Sequence, residues 1–532
     1  MARQIPGEII KRSGKAEQYD SRKILNAIRK VFAATGVDID EDRLSAIVER
    51  VEALILADTR PFNVEAVQDL VERALMEAGH YDQAKSYILY RDTRRKKREE
   101  RQSLMAQFPE FEALGPVLLG IEEDFRDDAY DLGHLHRKFL SFYKEDVELE
   151  ERMNLLVRSA IELIDPEAPQ WEMVAGRLFN AYYLHQMDAR MRSLGLNTHY
   201  EKISYLTQQG LCAEQMLQTY TADELNRAAQ FMRPERDQLF PYSGLELLTK
   251  RYVIRDRGHK ALETIQEMYL NIALFLAIPE KPEDRLYWTQ RFYDMLSTLR
   301  VTMATPTLAN SRKPYHQLSS CFIDTVPDDL QGIYRSISNF ANVSKYGGGM
   351  GLYFGKVRSH GSDIRGFEGA AGGVIRWIRL ANDTAVAVDQ LGVRQGAVAV
   401  YLDVWHRDLP EFLQLRTNNG DDRMKAHDVF PAVCFPDYFW QQVEGNIGGD
   451  WHLFDPHEIE TRKGYALEDS FGEEWTQKYL ECVADSRISR RVIPIKDILR
   501  LIIKSAVETG TPFAFNRDHV NRMNPNPHKG II

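Results

Sequence analysis

The sequence predicts an α/β protein in which a small amino-terminal domain and a mostly helical domain precede a parallel sheet with outer helices. Three observations support this order. Two short β-rich runs precede helical patterns within the first hundred residues. Apolar residues then recur at helical spacing from about 102 to 316, with breaks that contain proline. From about 317, short β-rich runs alternate with helical patterns, which is typical of parallel strands with helices outside.

The composition is that of a globular protein that stays in water. The chain has 532 residues, and changes in its pattern of predicted helices and strands suggest domains at 1–100, 101–316 and 317–532. Hydrophobic residues make up 44% and charged residues 27%, with a net charge of -10. No apolar run approaches the roughly 18 residues of a membrane span, so we expect no membrane partner and a cytoplasmic location. The acidic balance gives no reason to expect nucleic acid as a partner.

The first domain should begin with a hairpin. Ile9–Arg12 is predicted as a strand, Ser13–Lys15 as a tight turn, and Gln18-Tyr19 as part of a second strand. Asp20 or Ser21 can then cap a first helix. Three further helices are predicted at 40–56, 63–79 and 80–98, with Asn63 as an N-cap.

A basic run closes this domain, from Arg91 to Arg101. Runs of this kind are usually a solvated helix face or a linker, which is the interpretation we favour. Phosphate binding is the alternative.

The last third of the chain carries the strands of the predicted parallel sheet. They are expected at 321–325, 352–354, 397–402, 451–454 and 512–515. Helices are expected between and after them, at 329–345, 372–387, 407–416, 436–445 and 495–509. Five such strands could form half of a closed barrel or one open sheet.

The four cysteines exclude some site types. They are Cys212, Cys321, Cys434 and Cys482, and none belongs to a CxxC pair, which argues against a zinc ribbon and against a disulfide framework. No metal site is predicted. Cys321 follows Ser319 and Ser320 at the start of a strand, so it could be redox-active. Taken alone, an inert core cysteine is the more frequent case.

Two glycine-bearing segments could bind a nucleotide. Gly347 to Gly351 and Gly355 precede Arg358 and Gly361, and their amides could cradle an anion or simply form an unusual turn beside a strand. In the second segment, Gly392 and Gly396 flank Arg394, with Gln390 nearby. Such a loop could contact a base and a phosphate, or it could be an ordinary surface loop.

The order of these motifs is more specific than any one of them. The series ATPTLANSR…QLSSCF, GGGMGL…KVRSHGSDIRG, NDTAVAVDQLGVRQGA, YLDVWHRDLPEFLQLR, WHLFDPHEI and GTPFAFNRDHVNRMNPNPHKG closely resembles the large subunit of class I ribonucleotide reductases. The resemblance covers about 290–532. The segment IKRSGKAEQYDSRKILNAI resembles the ATP-cone, a regulatory nucleotide-binding domain, and 102–289 is similar mainly in helical character.

The resemblance implies a fold and a radical reaction. The fold would be an ATP-cone, a mostly helical domain and the first half of a ten-stranded α/β barrel. In that family one cysteine becomes a thiyl radical, and two others supply electrons and end as a disulfide. Cys321 matches one of the reducing pair. Ser320 matches its substrate-contacting neighbour, and Thr305 matches a residue that lines the substrate pocket.

The resemblance also implies two regulatory sites. The 347–361 region matches a first specificity loop, and 390–397 a second loop between effector and substrate. The matched effector-binding residues are Asp328, Arg358, Gly361, Gln390 and Arg394, of which Arg394 is expected to carry the message to the substrate. The matched ATP-cone positions are Lys11, Arg12, Glu17, Asp20 and Lys23. An ordinary charged surface is the alternative for the cone residues.

Ligands and partners follow from the same resemblance. We expect a ribonucleoside diphosphate substrate, ATP or dATP and deoxynucleoside triphosphates as effectors with Mg²⁺, and a homodimer or higher oligomer. A ferritin-like metal-containing small subunit would supply the radical, and thioredoxin or glutaredoxin the electrons. The alternatives are a cobalamin-dependent class II reductase, which shares the barrel and loops, and a nucleotide-sensing regulator.

The sequence given stops at NPNPHKGII, ahead of the positions that match the thiyl-radical cysteine and the second reducing cysteine. We therefore expect a C-terminal remainder, supplied as a second polypeptide, joined by splicing or cut off, and no turnover by this chain alone. Cys212, Cys434 and Cys482 lie outside the matching motifs and are predicted to be structural.

Overall fold

A computed structural model describes residues 5, 7–11, 15–144, 146–390 and 395–532. The chain divides into two compact units, of which the first comprises 1–186 and 240–245 and the second 187–239 and 246–532. Within the described residues, no helix combines the length and the hydropathy that crossing a bilayer requires.

The first unit opens with the expected hairpin. Strand β1 (Glu8–Ile10) pairs antiparallel with β2 (Ala16–Gln18), and β1 is shorter than predicted because it ends at Ile10. Four helices follow: α1 (Ser21–Ala34), α2 (Glu41–Ala57), α3 (Val64–Glu77) and α4 (Tyr81–Met105). The side chains of Asp20 and Asn63 accept backbone N–H groups in the first turns of α1 and α3, which confirms both predicted caps.

The basic run belongs to α4, which continues to Met105, so the possibility of a linker was wrong. Its two ends are held by ion pairs. Arg91 contacts three acidic side chains at 2.5–2.8 Å, namely Glu65, Asp69 and Glu72. Arg101 pairs with Glu122. These partly buried ion pairs at the two ends offset the repulsion between the positive charges of the basic run, so the helix continues through it.

The stretch from 102 to 316 is helical, as predicted. Its helices are α5 (Leu114–Asp124), α6 (Leu132–Phe142), α7 (Leu149–Ile161), α8 (Trp171–Ser193), α9 (His199–Gln208), α10 (Gln215–Thr219), α11 (Ala222–Ala229), α12 (Tyr242–Arg251), α13 (Ile265–Leu276), α14 (Arg285–Ser297) and α15 (Thr305–Asn310). Capping boxes at Thr221 and Thr264 start α11 and α13, because each threonine and the glutamate three residues later satisfy one another's backbone N–H groups.

The second unit contains the predicted five-stranded parallel sheet. Its strands, in spatial order, are β3 (Cys321–Thr325), β4 (Gly349–Tyr353), β5 (Val398–Asp403), β6 (Val429–Phe435) and β9 (Phe513–Asn516). A separate antiparallel pair is formed by β7 (Asp450–Phe454) and β8 (Arg490–Pro494).

The prediction was wrong about the fourth strand of this sheet. The run at 451–454 forms β7 and lies outside the parallel sheet, whereas β6 was missed. Pro431 hides β6 in the sequence, because proline is rare inside a central strand. The strand is nevertheless apolar throughout, and six of its seven residues are buried, as a strand covered on both faces should be.

Helices cover one face of the sheet and leave a cavity at the other. The helices of this part of the chain are α16 (Leu330–Lys345), α17 (Val374–Ala387), α18 (Leu409–Phe412), α19 (Asp437–Gly445), α20 (Pro456–Lys463), α21 (Gly472–Ala484), α22 (Ile495–Thr509) and α23 (Arg517–Arg522), of which α16, α17 and α18 pack against the sheet. The predicted helix at 407–416 is thus a single turn. Leu352, Val400 and Val433 are fully buried against the helices. The opposite face lines a cavity of about 650 Å³, with Tyr401 and Cys434 in its wall.

Candidate active site and effector site

Cys321 is the first residue of β3 and is exposed, whereas the other three cysteines are buried. Alternating exposure along β3 places Cys321 on the same face as Ile323, which lines the cavity. The Ser320 hydroxyl lies 3.4 Å from the Cys321 sulfur. Cys321 is therefore not an inert core cysteine, and its thiol is accessible to a ligand.

The segment with Thr305 is tied to the strand that Cys321 opens. The Thr307 hydroxyl donates to the Leu318 carbonyl at 3.2 Å, and the Asn310 amide donates to the Gln317 carbonyl at 3.1 Å. The Thr305 hydroxyl itself lies 3.1 Å from the hydroxyl of Tyr252. Two backbone carbonyls thus fix α15 beside the approach to Cys321.

The glycine run is mostly strand rather than loop. Gly349 is the register partner of Cys321, and its N–H donates to the Ser320 carbonyl at 2.7 Å. A Cβ on Gly348 would lie 2.7 Å from side-chain atoms of Phe322 and Val343, so only glycine fits there. Of the two interpretations of Gly347 to Gly351, the structure therefore favours a turn beside a strand and not an anion-binding loop.

The second loop meets the glycine run at the same end of the sheet. Gln390 is 4% exposed, and its side-chain amide donates to the Gly348 carbonyl at 3.1 Å. The Ser344 hydroxyl donates to the Val388 carbonyl at 2.7 Å. Arg394 lies outside the described residues. The described start of the loop is thus joined through one glycine segment to Ser320 and Cys321.

Asp328 and Arg358 form an ion pair beyond the carboxyl ends of β3 and β4. The Arg358 backbone N–H and Nε donate to the Asp328 carboxylate at 3.1 and 2.7 Å. Burial raises the pKa of Asp328 despite these bonds from Arg358. Gly361, further along the loop, has a φ of +79° and donates to the Ala371 carbonyl. His457 Nδ1 lies 3.9 Å from the same carboxylate, a neighbour that no sequence motif indicated.

The two groups of predicted residues lie at opposite ends of the sheet. Cys321 and Gln390 are at the amino ends of β3 and β5, whereas Asp328 and Arg358 follow the carboxyl ends of β3 and β4. At about 3.3 Å per residue, the length of β3 separates the two ends by about 13 Å. The described start of the second loop is thus joined to Cys321, at the end of the sheet opposite to Asp328.

Four of the predicted ATP-cone residues are described. Lys11 and Lys23 contact Glu17 at 2.6 and 2.8 Å, and their hydrogen bonds lower the pKa of that carboxyl. Asp20 instead caps α1 and pairs with Arg22 at 3.0 Å. Arg12 lies outside the described residues. The structure therefore gathers the two lysines around one carboxylate and turns Asp20 toward its own helix.

A buried polar cluster in the cavity wall was missed at the level of sequence. Arg517 Nη1 donates to Asp403 at 2.8 Å and to the Tyr353 hydroxyl at 3.0 Å, and Arg517 also donates to the Glu468 carbonyl. Burial raises the pKa of Glu468 to about 8. The sequence did offer one signal for this cluster, since Asp403 and Arg517 are charged residues at the ends of apolar strands. In the described part of the chain, no group of three acidic, histidine or cysteine side chains is arranged to hold a metal ion.

Comparison with known families agrees with this arrangement. Residues 319–532 match the ribonucleotide reductase barrel domain, 238–316 match the ribonucleotide reductase all-alpha domain, and 7–96 match the ATP cone domain. The chain belongs to the ribonucleotide reductase family.

Its relatives are alpha subunits of that family. It is 55% identical to the ribonucleoside-diphosphate reductase subunit alpha of Treponema pallidum (strain Nichols), over 98% of this chain and 62% of the relative. The corresponding subunit of Helicobacter pylori (strain ATCC 700392 / 26695) is 38% identical, over 73% of this chain and 48% of the relative. That of Chlamydia muridarum is 33% identical, over 98% and 52%. The chain thus spans between about half and three fifths of these relatives.

Proposed function

We propose that this chain supplies the effector sites and one reducing thiol of a ribonucleoside-diphosphate reductase. The observation that carries the proposal is the position of Cys321. It is the exposed cysteine, it opens a strand beside Ser320, and one glycine segment joins it to Gln390 of the second loop. A pure nucleotide sensor would have no use for such a thiol.

The reaction has a simple balance. Two thiols give two electrons and two protons, the ribose 2′-hydroxyl leaves as water, and the thiols become a disulfide. Cys321 is one of these thiols, with Ser320 and Thr305 contacting the substrate. A second thiol, a radical from a ferritin-like metal-containing subunit, and thioredoxin or glutaredoxin complete the cycle. A reducing compartment such as the cytoplasm suits four free cysteines.

The charged residues of the two regulatory regions indicate how each effector would be bound. Arg358 would contact the phosphates of a deoxynucleoside triphosphate, carried with Mg²⁺, and Asp328 would accept from its sugar. In the cone, Lys11 and Lys23, whose ammonium groups converge on Glu17, would bind the phosphates of ATP or dATP, and Glu17 would accept from its ribose or base.

The separation of the two groups favours a dimer. An effector held by Asp328 and Arg358 would lie at the far end of the sheet from Gln390, the described start of the second loop of the same chain. We infer that the loop of a second copy completes the site, which makes the functional unit a homodimer or a larger oligomer.

Calorimetry with dTTP tests the proposal on this chain. Because cone binding could add a signal, the reference protein carries Lys11→Ala and Lys23→Ala. Arg358→Ala in that background should weaken dTTP binding by about tenfold or more, since it removes a charge-assisted contact. Arg423→Ala is the matched control, because Arg423 forms an exposed pair with Asp421 outside the site. Equal affinity in the Arg358 and Arg423 variants would refute the assignment.

A further inference from the structure

The loop that carries Arg358 is held by two buried carboxylates from other parts of the second unit. Asp455, at the end of β7, is 1% exposed, and Asp408, after β5, is 4% exposed. The Asp408 carboxylate accepts the backbone N–H groups of His360 and Val374, at 3.0 Å each. The two ends of one loop are thus bound to a single side chain.

Asp455 holds the part of the loop next to Arg358. One carboxylate oxygen accepts both the backbone N–H and the hydroxyl of Ser359, at 2.7 and 2.8 Å, and the other accepts the hydroxyl of Ser362 at 2.6 Å. Burial alone would raise the pKa of Asp455, but these bonds from Ser362 and Ser359 lower it, so the group stays ionised. On the other side of Arg358, the Val357 carbonyl lies 3.0 Å from His406 Nε2.

The same carboxylate connects the loop to a second element of the site. Asp455 is the N-cap of α20, where it accepts the N–H of Glu458 at 3.0 Å. This helix carries His457, which lies against Asp328. Asp455 therefore contacts both the loop that carries Arg358 and the first turn of the helix that carries His457.

We propose that Asp455 is a positioning residue of the effector site, which acts on nucleotide binding through Ser359, Ser362 and the backbone of Arg358. The inference rests on the proposed effector role of Asp328 and Arg358. Arginine gains affinity from a fixed fork geometry, so loss of the anchor should cost binding even though Asp455 never touches the ligand.

The test compares Asp455→Asn with a control of the same chemistry, using dTTP and the Lys11→Ala/Lys23→Ala background. Asp518 is also 1% exposed and accepts two backbone N–H groups, those of Asp437 and Gly472, away from the loop. Both variants should lower the melting temperature by a similar amount. Asp455→Asn should also weaken dTTP binding about tenfold, whereas Asp518→Asn should leave dTTP binding unchanged. Equal binding by the two variants would overturn the proposal.

A double-mutant cycle separates positioning from general destabilisation. In an Arg358→Ala background, Asp455→Asn should cost no further affinity, because the anchor acts through that arginine. Additive losses would contradict the proposal. If Asp455→Asn does not fold, Ser362→Ala takes its place, with Ser362→Thr expected to restore binding because it keeps the hydroxyl. Failure of the background protein to bind dTTP would instead refute the effector site itself.

Discussion

Arg312 and Glu263 form an ion pair in which both side chains are fully buried, with Nη2 and Oε2 2.7 Å apart. Arg312 also donates to the Leu308 and Tyr252 carbonyls, at 2.6 and 2.7 Å. Burial would raise the pKa of Glu263, but the attraction of Arg312 lowers it overall. Because Tyr252 contacts Thr305, the pair fixes the segment that leads to Cys321.

We predict that Arg312→Met destabilises the protein by about 3–5 kcal/mol, since it leaves a buried carboxylate without its counter-ion. Thermal unfolding measures the effect as a fall in melting temperature. Adding Glu263→Leu to Arg312→Met should recover much of the loss, because the unpaired charge is then removed. Arg423→Ala, which breaks an exposed pair, is the control and should melt like the wild type. Similar melting of the Arg312 and Arg423 variants would contradict the prediction.

The exposure of Cys321 predicts one fast thiol in the native chain. In a titration with an aromatic disulfide reagent, one of the four thiols should react rapidly. The other three should react slowly, because burial raises the pKa values of Cys212, Cys434 and Cys482 and blocks access to them. Cys321→Ser should abolish the rapid phase, and Cys212→Ala should keep it. In the complete reductase, Cys321→Ser should also abolish reduction while dTTP still binds. Turnover by that variant would exclude the proposed role.

Gln390 should couple the second loop to the active site. Gln390→Ala removes the amide that donates to Gly348, so effector-dependent substrate preference in the complete reductase should fall by about tenfold, with dTTP affinity much less affected. The assay measures reduction of four ribonucleoside diphosphates with each effector. Gln441→Ala, an exposed glutamine on α19, is the control. An unaltered preference pattern in Gln390→Ala would show that the contact has no such function.

Arg394→Ala is expected to disturb substrate choice more than effector affinity. This prediction comes from the position of Arg394 between two glycines and from the family resemblance. The same four-substrate assay, paired with dTTP calorimetry, measures both quantities. Loss of dTTP binding with normal substrate preference would show that Arg394 binds the effector without transmitting its identity to the substrate site, and would contradict the prediction.

The stability of the second unit should fall as pH rises through the range in which Glu468 titrates. Burial raises the pKa of Glu468 from 4.5 to about 8, so the folded chain favours the protonated form. The contribution of protonated Glu468 to the free energy of unfolding is complete below pH 4.5. It is lost as the pH rises from 4.5 to 8, at up to about 1.4 kcal/mol per pH unit. Glu468→Gln should therefore melt higher than wild type at pH 8 and show a flatter pH profile. The exposed Glu444→Gln should not, and parallel profiles for wild type and Glu468→Gln would count against the raised pKa.

The periodicity of the sequence predicted most elements, since local patterns record which faces are buried. β3 and α22 have the predicted bounds, and α16 differs by one residue. Pairing between strands is not local. The runs at 451–454 and 429–435 are both apolar, and only their neighbours in space decide that the second belongs to the parallel sheet.

The sequence by itself determined the order of the elements, the capping of α1 and α3, and the residues that resemble a reductase site, because each depends on residue type and short spacing. Only the tertiary structure decided that Cys321 is accessible, that Gln390 lies at its end of the sheet while Asp328 and Arg358 lie at the other, and that Asp455 holds their loop. These facts depend on which distant segments supply hydrogen-bond partners to one another. A carboxylate nearly a hundred residues away leaves no local pattern at the loop it anchors.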